Sequence, residues 1–196
     1  MNILFVNACV RGEESNTLKL CRAALEEMQT ANPNAVITEV NLDADRPQPL
    51  HPEELKKRIE LRGRGELTDP MFDYAWQFAK ADKIVIGAPY WDLSFPSILK
   101  IYIERICVVD ITFQYSADGI PSGKCLADKL LYITTAGGPI GEYNLGFDYI
   151  KSLCEAFYGI PDVRCFAVKG LEMGGDIETM VREGEQDLRS MIQKWK

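Results

Sequence analysis

The sequence predicts a doubly wound α/β sandwich with helices on both faces of a five-stranded parallel sheet. Three observations predict it. Five short apolar runs of strand length recur along the chain, at Asn2–Val6, Val36–Val40, Ile84–Ala88, Leu130–Thr135 and Val163–Val168. Most are continuous rather than alternating, as expected of strands buried on both faces. Stretches with helical apolar spacing separate them, which is the signature of right-handed β-α-β units. The first turn, Ala8–Thr17, holds one glycine and no G-x-G-x-x-G, and no second β-α-β half follows the fifth strand. Strand order 2-1-3-4-5 is therefore favoured over the six-stranded dinucleotide arrangement.

Each element follows in order. After the first strand, Leu18, Cys21, Ala24, Leu25 and Met28 mark one helical face. Asn32-Pro33-Asn34 ends that helix and Val36, Ile37 and Val40 mark the second strand. Residues 43–69 form a charged surface excursion around one helical stretch that Pro52, Glu53 and Glu54 open. Asp69-Pro70 reads as N-cap and first position of a helix through Phe72, Ala75, Trp76 and Ala79. Pro96 opens the next helix, with Leu99, Tyr102, Ile103 and Ile106 on one side. Alternation at Thr112–Tyr115 followed by Asp118-Gly119 predicts a hairpin or flap over 111–124. Leu145, Ile150, Leu153, Cys154 and Phe157 define a helix that Gly159 and Pro161 end. Ile177 to Trp195 closes the chain as an amphipathic helix, so residues 1–196 read as one domain.

Composition removes several kinds of chemistry. The chain has 196 residues and a formal net charge of −7, with no Lys/Arg stripe, so nucleic acid is not an expected partner. The longest uncharged run, Leu130–Gly141, is too short to span a bilayer, and no basic leader precedes the first strand. A cytoplasmic protein without a membrane partner is expected. The six cysteines form no CxxC pair and read as reduced thiols. A single histidine, His51, excludes any two-histidine metal motif, and no metal site is expected.

Ligands of such sheets bind at the carboxyl ends of the strands where the order reverses. Three loops lie there. In the first, Ser15, Asn16 and Thr17 stand at a helix N-terminus, which favours a phosphate, and Arg11 adds charge. The competing reading is that Ser15 or Asn16 only caps the helix. Cys9 raises the thought of a cysteine phosphatase, but position 15, where such enzymes place an arginine, is serine. In the second loop, Pro89-Tyr90-Trp91-Asp92-Leu93 concentrates aromatic surface on which a flat ring could stack. The third loop, Thr135-Ala136-Gly137-Gly138, offers backbone N–H groups free of side-chain obstruction. A phosphate, a flat ring and an amide-rich edge together describe flavin mononucleotide (FMN).

The run Ala88-Pro89-Tyr90-Trp91 with Phe95-Pro96-Ser97-Ile98-Leu99-Lys100 and Ile103-Glu104-Arg105 resembles the central signature of the flavodoxin-like quinone reductases. Thr112-Phe113-Gln114-Tyr115, Gly119 and Gly123-Lys124 resemble a segment of the FMN-dependent NADH-azoreductases of that superfamily. Thr135–Gly138 and Gly159–Val163 fall at matching places, and the resemblance spans about residues 1–172.

The resemblance implies a flavodoxin-like three-layer sandwich that works as a homodimer. It implies two-electron, ping-pong hydride transfer from NADH or NADPH through FMN to quinones or azo compounds. Ser15 and Thr17 would hold the phosphate with Asn16 between them, and Cys9 stands where relatives carry a serine. Tyr90, Trp91, Asp92 and Leu93 would line the isoalloxazine. Thr135, Gly137 and Gly138 would face its pyrimidine edge, with Ala136 in place of a polar or aromatic loop residue common in relatives. Phe113 and Tyr115 would shape the open face of the ring, with Tyr115 the candidate proton donor. Two alternatives stay open: an electron carrier of flavodoxin type, and a flavin-poor binding or regulatory protein. The flap at 111–124 and the excursion at 43–69 speak against a carrier, which needs an exposed flavin edge.

Overall fold

The computed structural model describes residues 1–195. Five parallel strands form the central sheet: β1 (Asn2–Asn7), β2 (Val36–Asn41), β3 (Lys83–Gly87), β6 (Lys129–Thr135) and β7 (Asp162–Val168). Their order is β2-β1-β3-β6-β7, which is the expected 2-1-3-4-5 once the separate hairpin strands β4 (Phe113–Tyr115) and β5 (Pro121–Gly123) are set aside. Phe5 pairs with Val85 and Glu39, and Ile86 with Tyr132, so the central strands run in register from end to end.

Alternation along each strand divides the core in two. Leu4, Val6, Ile84, Ile86, Leu130 and Tyr132 point to one face. There they meet α4 (Asp73–Lys80), α5 (Ser97–Ile106) and α6 (Leu145–Leu153) through Phe78, Tyr102, Ile103 and Ile150. Ile3, Phe5, Val85, Leu131 and Ile133 point to the other. That face is covered by α1 (Asn16–Ala31) and α7 (Ile177–Lys194) through Leu20, Cys21, Leu25, Leu188 and Ile192. Strands buried on both faces need continuous apolar sequence, which is why these runs were readable.

The charged span after β2 carries a short turn of helix, α2 (Leu42–Asp45), and α3 (Pro52–Gly63). Leu61 of α3 joins Phe72, Ala75, Val108 and Ile111 in a small satellite core. The guanidinium of Arg58 donates to the carbonyl oxygens of Glu104 (3.0 Å) and Cys107, at the carbonyl-rich C-terminus of α5. Burial lowers the pKa of Arg58 from its ordinary value. Arg105 pairs with Glu54 at 3.0 Å, again joining α5 to α3.

Two helix boundaries differ in detail from the sequence expectation. Asp69 does cap, accepting from the Met71 N–H at 2.9 Å, but Pro70–Phe72 is a 3₁₀ turn and α4 begins at Asp73. The helix after β6 ends its regular part at Leu153, and Cys154–Tyr158 widens into a π turn before Gly159 at φ +73°. The hairpin supplies a reason. Gly123 of β5 lies directly on the backbone of Tyr158 and Gly159, closer than any side chain would permit. Among the described residues no helix is long and apolar enough to cross a membrane.

The contact at Gly123 generates a test. Gly123→Ala should cost about 1–3 kcal/mol by overpacking. It should appear as a lower urea midpoint with an unchanged slope of stability against denaturant. An unchanged midpoint would show that the hairpin is free to lift off the π turn.

Candidate functional site

Four loops meet at the carboxyl end of the sheet. The first leaves β1 at Asn7, whose buried side chain accepts from the Cys9 N–H (3.0 Å) and donates to Glu39 (2.8 Å). That pair turns the chain into the 3₁₀ turn Gly12–Glu14 and then α1. Ser15 is the N-cap, its hydroxyl oxygen accepting from the Leu18 N–H at 3.3 Å. Capping uses the oxygen as acceptor, so the hydroxyl still has a proton to donate. The N–H groups of Asn16 and Thr17, in the first turn, have no partner within the helix. Ser15 therefore caps the helix, as the competing reading expected, and the helix start keeps unpartnered N–H groups of the kind that favour an anion.

The second loop follows β3. Trp91 and Ser94 exchange both backbone hydrogen bonds, Trp91 N–H to Ser94 O at 3.1 Å and Ser94 N–H to Trp91 O at 2.7 Å. Between them Asp92 (φ +50°) and Leu93 (φ +67°) are both left-handed. A two-residue turn of this kind normally carries Asn-Gly or Asp-Gly. Leucine there costs about 1 kcal/mol of backbone strain. The Tyr90 hydroxyl donates to the Tyr143 carbonyl at 2.7 Å, and the Leu145 N–H donates to the Leu93 carbonyl at 3.0 Å.

The third and fourth loops follow β6 and β7 and are zipped together. Ala136 N–H continues the ladder to Val168 O at 2.9 Å. Then Leu171 N–H donates to Ala136 O (3.2 Å), Glu172 N–H to Gly137 O (2.8 Å) and Gly170 N–H to Gly138 O (3.0 Å). In a trans peptide the C=O and the next N–H point in opposite directions. With the Ala136 and Gly137 carbonyls held toward the β7 loop, the N–H groups of Gly137 and Gly138 are aimed away from it. Among the described residues neither N–H has an acceptor. The side chain of Glu172 lies over Gly137, where an added Cβ would stand 2.6 Å from its carboxylate.

These loops enclose a cavity of about 410 Å³, within the range of small-molecule sites. Of the residues expected at a site, Arg11, Ser15, Asn16, Thr17, Pro89, Tyr90, Trp91, Thr135, Ala136, Gly137 and Gly138 line it. Thr135 joins three of the loops. Its hydroxyl bonds that of Thr17 at 2.7 Å in a buried pair, and its carbonyl accepts the Tyr90 N–H at 3.0 Å.

Five expected residues lie elsewhere. The thiol of Cys9 is buried beneath the loop, 3.6 Å from the Gly87 carbonyl and beside Cys21, so it packs the core. Burial raises the pKa of Cys21 well above that of an ordinary thiol. Asp92 and Leu93 form the turn beyond the cavity wall, with exposed side chains. Phe113 is buried on the hairpin against Phe157, ring centroids 4.8 Å apart. Tyr115 stacks edge-on to Phe113 at 5.4 Å and is half exposed. Three lining residues were not anticipated: Leu171, Glu172 and Ile177. The only signal for them was position, because they follow the carboxyl end of the fifth strand.

A doubly wound sheet whose N-terminal helix, aromatic loop and glycine loop converge on one cleft defines a flavodoxin-like protein. The chain belongs to the flavodoxin-like fold family, whose model matches residues 1–192. It is 34% identical over 197 residues to an FMN-dependent NADH:quinone oxidoreductase of Clostridium perfringens, covering 98% of each chain. It is 35% identical over 187 residues to FMN-dependent NADH:quinone oxidoreductase 2 of Clostridium acetobutylicum, covering 92% of each. Among solved structures, an FMN-dependent NADH-azoreductase from Bacillus anthracis in complex with FMN shares the fold. Its TM-score is 0.84 at 23% identity, with 99% of this chain and 98% of that one covered.

Two substitutions test this local structure. Leu93→Gly relieves the left-handed strain and should raise stability by about 0.5–1 kcal/mol in a urea titration. Ser15→Ala removes the cap and should lower it by about 1 kcal/mol. The reverse sign at Leu93 would mean that its side chain packs more than its exposure suggests.

Proposed function

We propose that this chain is an FMN-dependent NADH:quinone oxidoreductase, with azo compounds as a second class of acceptor. One observation carries the reading. A helix terminus with a serine hydroxyl, an aromatic wall and two glycines whose N–H groups have no acceptor among the described residues line a single cavity. The residues fit the cofactor group by group. A phosphate finds the Asn16 and Thr17 N–H groups, the Ser15 O–H and the Arg11 guanidinium. A flat ring finds Tyr90 and Trp91, and carbonyl and nitrogen acceptors on its pyrimidine edge find the Gly137 and Gly138 N–H groups.

Bound FMN would supply the hydride chemistry, taking two electrons from NADH and passing them to the acceptor. The protein's part is to bind, orient and polarise. Ser15, Asn16 and Thr17 anchor one end, and the Thr17–Thr135 bond fixes the distance from that anchor to the glycine amides. Tyr90 and Trp91 form one wall, and the Tyr143 carbonyl holds the Tyr90 ring through its hydroxyl. No nucleophile is required, in keeping with a chain whose one histidine, His51, stands at the N-terminus of α3. Donor and acceptor using the same site in turn gives ping-pong kinetics.

A homodimer completes the reading. Trp91, Leu93, Tyr115, Ile120, Tyr143 and Leu145 are exposed apolar side chains, and a second copy of the chain would cover such surface. In that assembly Phe113 and Tyr115 would serve as the lid over the ring, with Tyr115 as proton donor. Six free cysteines suit the reducing cytoplasm.

Purified protein should take up FMN stoichiometrically and oxidise NADH only when a quinone is present, with parallel lines in two-substrate kinetics. Ser15→Ala should weaken FMN about 10- to 150-fold, for a charge-assisted hydrogen bond worth about 1.5–3 kcal/mol. It should leave riboflavin, which lacks the phosphate, unaffected. Protein that fails to bind FMN, or a serine variant that loses riboflavin equally, would sink the reading.

A further inference from the structure

Glu172 supplies the one carboxylate among the residues lining the cleft, and Arg11 the one cation. Its backbone is tied to the glycine loop. The Glu172 N–H is committed to the Gly137 carbonyl at 2.8 Å, and the exposed carboxylate rests against Gly137, where an added Cβ would stand 2.6 Å from it and displace it. Left-handed Gly170 (φ +76°) sends the chain back toward the glycine loop. Among the described residues the Glu172 carboxylate makes no ion pair and no side-chain hydrogen bond. Arg11 pairs loosely with Glu14 at 4.0 Å, and Asp176, four residues on, is bound to Thr179. A carboxylate that neither pairs nor caps, and that shares a cavity wall with two free amide N–H groups, has its effect on whatever charge occupies that wall.

We propose that Glu172 sets the reduction potential of the bound flavin, by opposing the negative charge that reduction places at its pyrimidine edge. The inference rests on the FMN reading above. Hydride transfer from NADH adds two electrons and one proton to the ring and releases NAD⁺, so the reduced ring carries one negative charge more than the oxidised one. The Gly137 and Gly138 N–H groups attract that charge and Glu172 repels it. The balance keeps reduced flavin a strong donor toward its acceptor. Gly137 has its own part in this, since a methyl group there would push the carboxylate away from the edge.

Potentiometric titration of the FMN-loaded protein tests it. One unit charge acting at close range through a partly solvated site changes an equilibrium about tenfold. Glu172→Gln should therefore bind reduced FMN about tenfold better relative to oxidised FMN, a rise of about 30 mV for two electrons. Its affinity for oxidised FMN should stay within about threefold of the parent. Glu172→Asp, which keeps the charge, should stay near the parent potential. Gly137→Ala should raise the potential when Glu172 is present and leave it unchanged on the Glu172→Gln background. An unchanged ratio in Glu172→Gln, or loss of oxidised and reduced affinity together, overturns the proposal and leaves the FMN reading standing. Parent protein that takes up no FMN overturns both.

Discussion

Three peptide carbonyls pointing the same way determine the chemistry of this cleft. The β7 loop captures the oxygens of Ala136, Gly137 and Gly138, and because the peptides are trans the Gly137 and Gly138 N–H groups face the opposite side. A glycine-rich loop left to itself can present either its donors or its acceptors. Here the neighbouring strand makes the choice, and it does so by extending the β6–β7 ladder one step past Thr135–Val168. The register of the sheet thus sets the polarity of the site.

Thr135 extends that control to the other loops. Its hydroxyl meets Thr17 at the start of α1, its carbonyl meets the Tyr90 N–H, and its own strand leads into the glycines. Each such buried hydrogen bond adds about 1 kcal/mol of net stability, yet losing one partner strands a buried polar group at greater cost. The start of α1, the aromatic wall and the glycine amides are consequently held at fixed separations, as a preorganised site requires. The strained Asp92-Leu93 turn belongs to the same scheme, because it returns the chain from the aromatic wall to Pro96 and α5 in two residues. The lone carboxylate of Glu172 joins this framework from the fourth loop, lying against Gly137.

Much of this was legible in the sequence. Parallel strands buried on both faces must be apolar throughout, so Asn2–Asn7, Lys83–Gly87 and Lys129–Thr135 announced themselves, and their helical connections implied the order. The first three loops were legible too, because phosphate-binding helix starts, aromatic walls and glycine pairs each require particular residue types. Eleven of the residues so expected do line the cavity. Cys9, Asp92, Leu93, Phe113 and Tyr115 do not, although they belong to or adjoin the same segments. Chain proximity cannot say whether a side chain turns into a cleft or beneath it, and for Cys9 the buried space beside Cys21 decided.

Local spacing and residue type, which act over a few residues, determined the fold, the strand order and three of the loops that line the cleft. Tertiary structure alone decided which way the glycine amides face, that Thr135 ties the start of α1 to the aromatic loop, and that Glu172 lines the cleft. Those outcomes depend on hydrogen bonds and contacts between segments far apart in the chain, such as Thr17 with Thr135 and Gly137 with Glu172. No periodicity in the sequence encodes them.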